Sequence, residues 1–327
     1  MLPIQKFHCL AYVELALDII APLVNVYFLF LLRRPVFHKN LRILMGHFTI
    51  GLGSMTFLRM LILTDSMATS KFVTGNAAFW VHLLHNGFVL TLLDASVLMA
   101  GERLIATVLV DRYERVNYWP ITVVMCAVMW FINMYLSYFT MIRAQNAVIL
   151  PNGEMSLEYA QYNMDIIYSL IALTVMNVAG VVVFLLLLNF NQKRWKLDRT
   201  KRLGHRYQIS ENVKTSKQLA VVLLANLAVN AYLFFVLYYM LALNKRNRLT
   251  EMLSQFFDLI VALTAILLPC LLVKMHPALQ DRVRRHLFLN KIATKRVVAP
   301  SGINDGNVYF HELAKTWNVN EKKKFGV

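Results

Sequence analysis

The chain has 327 residues, 58% of them hydrophobic and only 16% charged, against roughly 45–50% and ~25% in soluble proteins. Surface grows too fast relative to volume for a soluble core of this size to hide so much apolar side chain. With 34 Lys and Arg against 18 Asp and Glu, a net charge of +16, the composition excludes an ordinary cytosolic enzyme, a disulfide scaffold and a disordered chain. It describes a multi-pass membrane protein. The excess of +16 by itself suits a nucleic-acid or membrane-surface partner, and only its placement on one side of the spans leaves no nucleic-acid partner expected.

Seven stretches are long and apolar enough to cross a bilayer, each near the ~20 residues a spanning helix needs. They cover roughly 9–32, 41–63, 79–103, 120–142, 163–189, 218–243 and 251–273. All exceed the ~10-residue alternating strands of a barrel, so the predicted fold is an all-α bundle of seven transmembrane helices. The first stretch lacks the flanks of a cleavable signal peptide and is expected to remain as a span. Lys and Arg number 26 in the loops after the first, third and fifth spans and in the tail, and 6 on the other side. The basic side marks the cytoplasm, so the N-terminus is predicted outside and the tail inside.

Polar residues within spans carry the candidate chemistry, because ionisable groups in lipid are costly and usually face the bundle interior. The first span holds Glu14 and Asp18 near its outer end. The third holds His82, His85 and Asn86, then Asp94, then the adjacent pair Glu102–Arg103. Such a pair near the inner end can act as a two-state latch, since a competing partner can capture the arginine. Snorkelling of Arg103 to the interface is the alternative. Asp111-Arg112-Tyr113 follows, but Arg112 is 32 residues from Trp80, about 48 Å of helix, which places it in the cytoplasm. Glu102 and Arg103 are therefore the expected latch.

Further along, Asp165 and Tyr168 lie in the fifth span, Tyr238 and Tyr239 in the sixth, and Gln255 and Asp258 in the seventh. With His82, His85 and Asn86 they form the candidate ligand pocket: aromatic, with a few convergent polar groups, and open to the outside. The alternative is that they pair with one another and hold helices together. His82 and His85 share a helix face but have no third ligand in a recognisable motif, so no metal is expected. No cofactor is expected either, and the motifs of nucleophilic, phosphate-binding or zinc enzymes are absent. Cys9, Cys126 and Cys270 all lie in or at the edge of spans, so no extracellular disulfide is predicted.

The loop at 190–217 is the most basic between spans. It suits anionic inner-leaflet lipids at about 1 kcal/mol per basic residue, and its Arg206–Lys217 part is expected to extend the sixth helix inward. After His276-Pro277 an amphipathic helix at 278–289 is predicted along the inner leaflet. The receptor domain thus covers 1–290, and the polar tail at 291–327 is expected to be disordered.

Three motifs carry a family resemblance. They are Glu102-Arg103-Leu104-Ile105-Ala106-Thr107 followed by Tyr113-Glu114, then Arg206-Tyr207-Gln208-Ile209-Ser210-Glu211-Asn212, and Leu268-Pro269 followed by His276-Pro277. In this order the chain resembles the nematode serpentine chemoreceptors of the Sra superfamily, most of all its Sre and Srab branches, over about residues 10–290. The resemblance implies a non-enzymatic G-protein-coupled receptor for an extracellular small molecule. It implies a place in the plasma membrane of sensory cilia, a role in olfaction, and signal transduction through a heterotrimeric G protein. Arg112, Tyr113, Arg206, Tyr207, Glu211, Asn212 and Lys214 are then the residues expected to face that G protein. Trp130 resembles the fourth-helix tryptophan of rhodopsin-like receptors, and Asn25 their first-helix asparagine. Their extracellular cysteine pair, second-span aspartate, sixth-span Cys-Trp-x-Pro and seventh-span Asn-Pro-x-x-Tyr have no counterparts here.

Two other functions stay open on the sequence. A ligand-gated cation channel of the insect odorant-receptor kind would have its N-terminus inside, the reverse of the charge count. A small-solute transporter or membrane enzyme would need a charged site at mid-membrane, for which Asp94 is the candidate. An oligomer also stays open.

Overall fold

The computed structural model describes residues 8–34, 37–109, 119–146, 157–197, 203–241 and 248–286. All its regular elements among these are helices: α1 His8–Leu32, α2 Lys39–Met67, α3 Gly75–Leu93, α4 Ala95–Val108, α5 Trp119–Asn146, α6 Leu157–Leu197, α7 Leu203–Leu241, α8 Arg248–Met275 and α9 Pro277–His286. Six of them are long and apolar enough to cross a membrane, and the bent pair α3 and α4 makes a seventh span. The bundle lies within residues 1–280; residues from 281 onward form a separate unit.

The sequence reads the third span as one run, but the structure breaks it. Leu93 ends α3, Ala95 starts α4, and the two axes differ by 45°. Asp94 at the break has φ −86° and ψ −3°. In lipid, a backbone group released from a helix must find another partner. Here Asn226 of α7 donates to the Leu92 carbonyl at 3.0 Å, and Val97 N–H closes a tight turn on the Asp94 carbonyl. On the fifth span's side, Ser96 Oγ donates to the Asn177 carbonyl of α6 at 3.1 Å.

Gly180 makes that last approach feasible. A Cβ there would stand 2.9 Å from Ser96 Oγ and 3.0 Å from the backbone of Ser96 and Val97, so only glycine lets α6 lie against the broken turn.

The same accounting explains how the first and seventh spans meet. Pro269 inside α8 has no N–H, so the carbonyl of Ala265, four residues earlier, loses its helical donor. Asn25 of α1 supplies one: its Nδ2 donates to Ala265 O at 3.0 Å and to Ala21 O at 2.8 Å. At the inner end of α8, Gln218 Nε2 donates to Met275 O at 2.6 Å, satisfying a terminal carbonyl that no helical N–H reaches.

Packing closes the bundle into a ring. α1 lies between α2 and α8, and α7 between α6 and α8. The third span runs through the middle, its outer half α3 against α2 and α5 and its inner half α4 against α6 and α7. The change of neighbours follows from the bend. Side chains such as Val13, Leu23, Val26, Phe131, Val175 and Leu186 point outward, as expected where lipid is as apolar as the side chains themselves. α6 has 41 residues, about 62 Å of helix against ~30 Å of hydrocarbon, so it extends beyond the bilayer.

Candidate functional site

The inner end of the third span holds a buried ion pair. Glu102 and Arg103 are each 3% exposed. Arg103 donates Nε to Glu102 Oε2 at 2.5 Å and Nη2 to Oε1 at 2.8 Å. A fork-to-fork pair of this kind is the strongest form of the interaction, and burial makes breaking it costly unless each group gains a new partner. Around it the carbonyls of the last turn of α4 are tied to other spans. Thr107 Oγ1 donates to Arg103 O at 2.7 Å and accepts from Asn191 Nδ2 of α6 at 2.7 Å. Arg194 of α6 donates to Thr107 O at 3.3 Å, and Asn212 of α7 donates to Ala106 O at 3.5 Å. The pair is thereby held where the third, fifth and sixth spans converge.

About 14 Å further out along the helix lies the break at Asp94. Its carboxylate is buried near Asn133 of α5, and Oδ1 has no hydrogen-bond partner. Two clefts flank this break. One runs between the second, third, sixth and seventh spans, lined by Leu52, Met55, Asn226, Phe257 and Val261 among others. The other lies between the third, fifth and sixth spans, lined by Leu170, Thr174, Asn177 and Phe234. They share Leu93, Asn230 and Leu233. Asn230 Nδ2 and both amide atoms of Asn177 are buried without partners. In this conformation each cleft has room for little more than a water molecule or two.

The residues expected in a ligand pocket are spread over the outer half. His82 and His85 are half-buried on α3, with His85 Nδ1 3.4 Å from Asn86 Oδ1, and Asn86 Nδ2 reaches Met141 Sδ at 3.8 Å. Asp165 forms an ion pair with Arg143 of α5. Tyr168 and Tyr238 are turned outward, 60% and 45% exposed. Tyr239 is half-buried and stacks on Phe235, as Tyr238 does on Phe234. Gln255 is buried and Asp258 pairs with Arg59. No group of three metal-binding side chains occurs among the described residues.

Of the residues expected to face a G protein, Asn212 is half-buried and Lys214 exposed on the inward extension of α7. Arg206, Tyr207 and Glu211 fall on the same extension. Arg112 and Tyr113 lie outside the described residues, as does the tail from 287. Trp130 is packed against Phe88 and His47, with ring centroids 5.2 and 5.6 Å apart.

Sequence reasoning assigned no role to Arg59, although it is an arginine inside a span. Its Nε donates to Glu14 Oε1 at 2.7 Å, and its Nη2 to Asp258, linking the second span to the first and seventh. Nor did it single out Asn177, Asn226 and Asn230. The signal was present, since Asn226 and Asn230 are one turn apart in an otherwise apolar run.

Seven helices around a broken third span, an acidic–arginine pair at its inner end and a following short helix define a G-protein-coupled receptor. The model of the Sre G protein-coupled chemoreceptor family matches residues 63–322, and the chain belongs to that family. A probable G-protein coupled receptor of Caenorhabditis elegans is 22% identical over 94% of this chain and 91% of its own length. Serpentine receptor class alpha/beta-14 of the same nematode is 26% identical over 43% of this chain and 35% of its own. The protein is thus a multi-pass membrane receptor of a family of receptors, not enzymes.

Proposed function

We propose that the protein is a chemosensory receptor that binds an extracellular small molecule at the clefts around Leu93 and transmits the event along α4 to Glu102–Arg103. The observation that carries the reading is the position of both clefts against the break in the third span. A ligand larger than water enters them only if the surrounding helices move apart, so occupancy and helix rearrangement are one event. The groups it meets are hydrophobic, with Asn230 and Asn177 offering unpartnered amide atoms that a ligand can satisfy. Outer-half residues including His82, His85, Asn86, Gln255 and Asp258 line the approach in this reading.

The bonds that hold the inactive arrangement can be counted against what a switch needs. Reversing a two-state population from 1:99 to 99:1 takes about 5.5 kcal/mol of differential affinity. Interhelical hydrogen bonds in membranes average about 0.6 kcal/mol. The Asn226–Leu92 and Ser96–Asn177 bonds alone are too weak to make a switch of that size. In our reading the Glu102–Arg103 pair exchanges partners during activation, and Arg103 becomes available at the cytoplasmic end. There the inward extensions of α6 and α7, with Asn212 and Lys214, offer a basic face to a heterotrimeric G protein. Arg112, Tyr113, Arg206, Tyr207 and Glu211 complete that face in our reading, and the surplus basic charge sits against anionic inner-leaflet lipids. In this reading the receptor lies in the plasma membrane of the cilia of sensory neurons, where a chemoreceptor meets its ligand.

The test is Arg103→Ala in receptor-expressing cells, with a calcium reporter and a count of surface receptor. Ligand-evoked G-protein signalling is expected to disappear while the surface count stays normal. Unchanged signalling removes the latch from the mechanism.

A further inference from the structure

The outer half of the bundle contains a charge cluster in which Glu14, Asp18 and Arg59 have no part in the proposed signalling route and Asp258 only lines the approach to it. Glu14 and Asp18 are one turn apart on α1 and are 0% and 1% exposed. Arg59 from α2 bonds Glu14 and Asp258 of α8, and Asp18 lies within electrostatic reach of all three. Glu14 and Asp18 therefore crowd one guanidinium that also serves Asp258, and the two of them bring one more negative charge than Arg59 balances if both are ionised. Two like charges forced together in such a site do not both stay charged.

The second observation is independent of the charge count. Glu14 Oε2 and Asp18 Oδ2 are fully shielded and have no hydrogen-bond partner. Arg59 and Asp258 face the cluster from α2 and α8, and His82 and His85 of α3 are within electrostatic reach of Arg59. No cation among them is turned to Asp18 except Arg59, already bonded to the other two carboxylates. A metal ion is not favoured, since no suitable group of three ligating side chains exists among the described residues. An ammonium group has no space beside oxygens that no solvent reaches. A proton needs no space.

We propose that the Glu14–Asp18–Arg59–Asp258 cluster is a proton-binding site, in which one proton held at Asp18 joins the first, second and seventh spans. The proton turns one carboxylate into a hydrogen-bond donor and removes one negative charge. Arg59 and Asp258, whose side chains are 20% and 21% exposed, are the members of the cluster that are not fully enclosed by protein. A proton bound in the folded state and absent from the unfolded one adds stability that is lost as pH rises. The receptor is therefore tightest on the acid side and loosens between α1 and α8 as the outside turns alkaline. Proton binding is a property of the purified protein and stands or falls apart from the signalling role.

The test uses the full chain in lipid nanodiscs, with infrared difference spectra between mildly acidic and alkaline buffer and with thermal unfolding. Wild type is expected to show the carbonyl band of a protonated carboxyl group that titrates away as pH rises. Its unfolding midpoint should fall in parallel. Asp18→Asn, which imitates the protonated acid, is expected to lose both the band and the pH dependence. Glu14→Gln, which removes the nearest negative charge without changing shape, is expected to move the titration to lower pH, and it decides the matter if Asp18→Asn does not fold. Identical spectra and midpoints in wild type and variants overturn the proposal. So does an alkaline stability that follows sodium or ammonium concentration with no carboxyl band, which would make the site a cation site.

Discussion

Arg103 toward the inner membrane face is buried and Arg59 toward the outer face is half-buried, and they are held in opposite ways. At the inner end Arg103 bonds the adjacent Glu102 carboxylate of its own helix through two guanidinium nitrogens, and Asn191 and Asn212 of the neighbouring helices bind Thr107 Oγ1 and the Ala106 carbonyl beside the pair. At the outer end Arg59 is shared by carboxylates from two other helices, with a third close by. The inner pair is formed within one helix, so its own two bonds can exchange without breaking a link between spans. The outer cluster is unbalanced and spans three helices, so it fixes the scaffold. The two differ as a moving part differs from a fastening.

Breaking the fastening should have the largest effect. Arg59→Leu strands buried carboxylates and is expected to cost about 3–5 kcal/mol, read as loss of surface receptor and a lower unfolding temperature. Next comes the approach of the fifth span to the break. Gly180→Val forces its Cβ into Ser96 and Val97 and should destabilise by about 1–3 kcal/mol in a thermal assay, while leaving the outer cluster intact. Asn25→Leu removes the donor that Pro269 makes necessary and should cost about 1 kcal/mol. Ser96→Ala deletes one interhelical bond and should shift stability by about 0.6 kcal/mol, with a larger effect on ligand potency than on stability because it acts on the hinge alone.

The two regions were not equally readable in the sequence. Glu102 and Arg103 are adjacent, so their pairing needs only helix geometry. Arg59 finds its partners 45 and 199 residues away, and nothing local announces them. The spans and their orientation follow from length and charge, because hydrophobic thickness and the basic cytoplasmic side act on each segment separately. The faces of the spans do not: a helix apolar all round has no pattern to show which side is buried. That is why Tyr168 and Tyr238 read as pocket residues although they are turned outward, while Asn177 and Asn230, which reach the clefts, were passed over. The break at Asp94 was hidden for the same reason, since Asn226, which satisfies the Leu92 carbonyl, and Asn177, whose carbonyl takes the Ser96 hydroxyl, arrive only once the sixth and fifth spans have packed.

The central claim is that the inner pair moves while the outer cluster holds. Basal nucleotide exchange on a heterotrimeric G protein by Glu102→Gln, compared with wild type in nanodiscs without ligand, tests it most directly. Removing the charge that retains Arg103 should raise basal exchange several-fold, with the unfolding temperature lowered only modestly. Basal exchange equal to wild type, from a folded variant, would contradict the account.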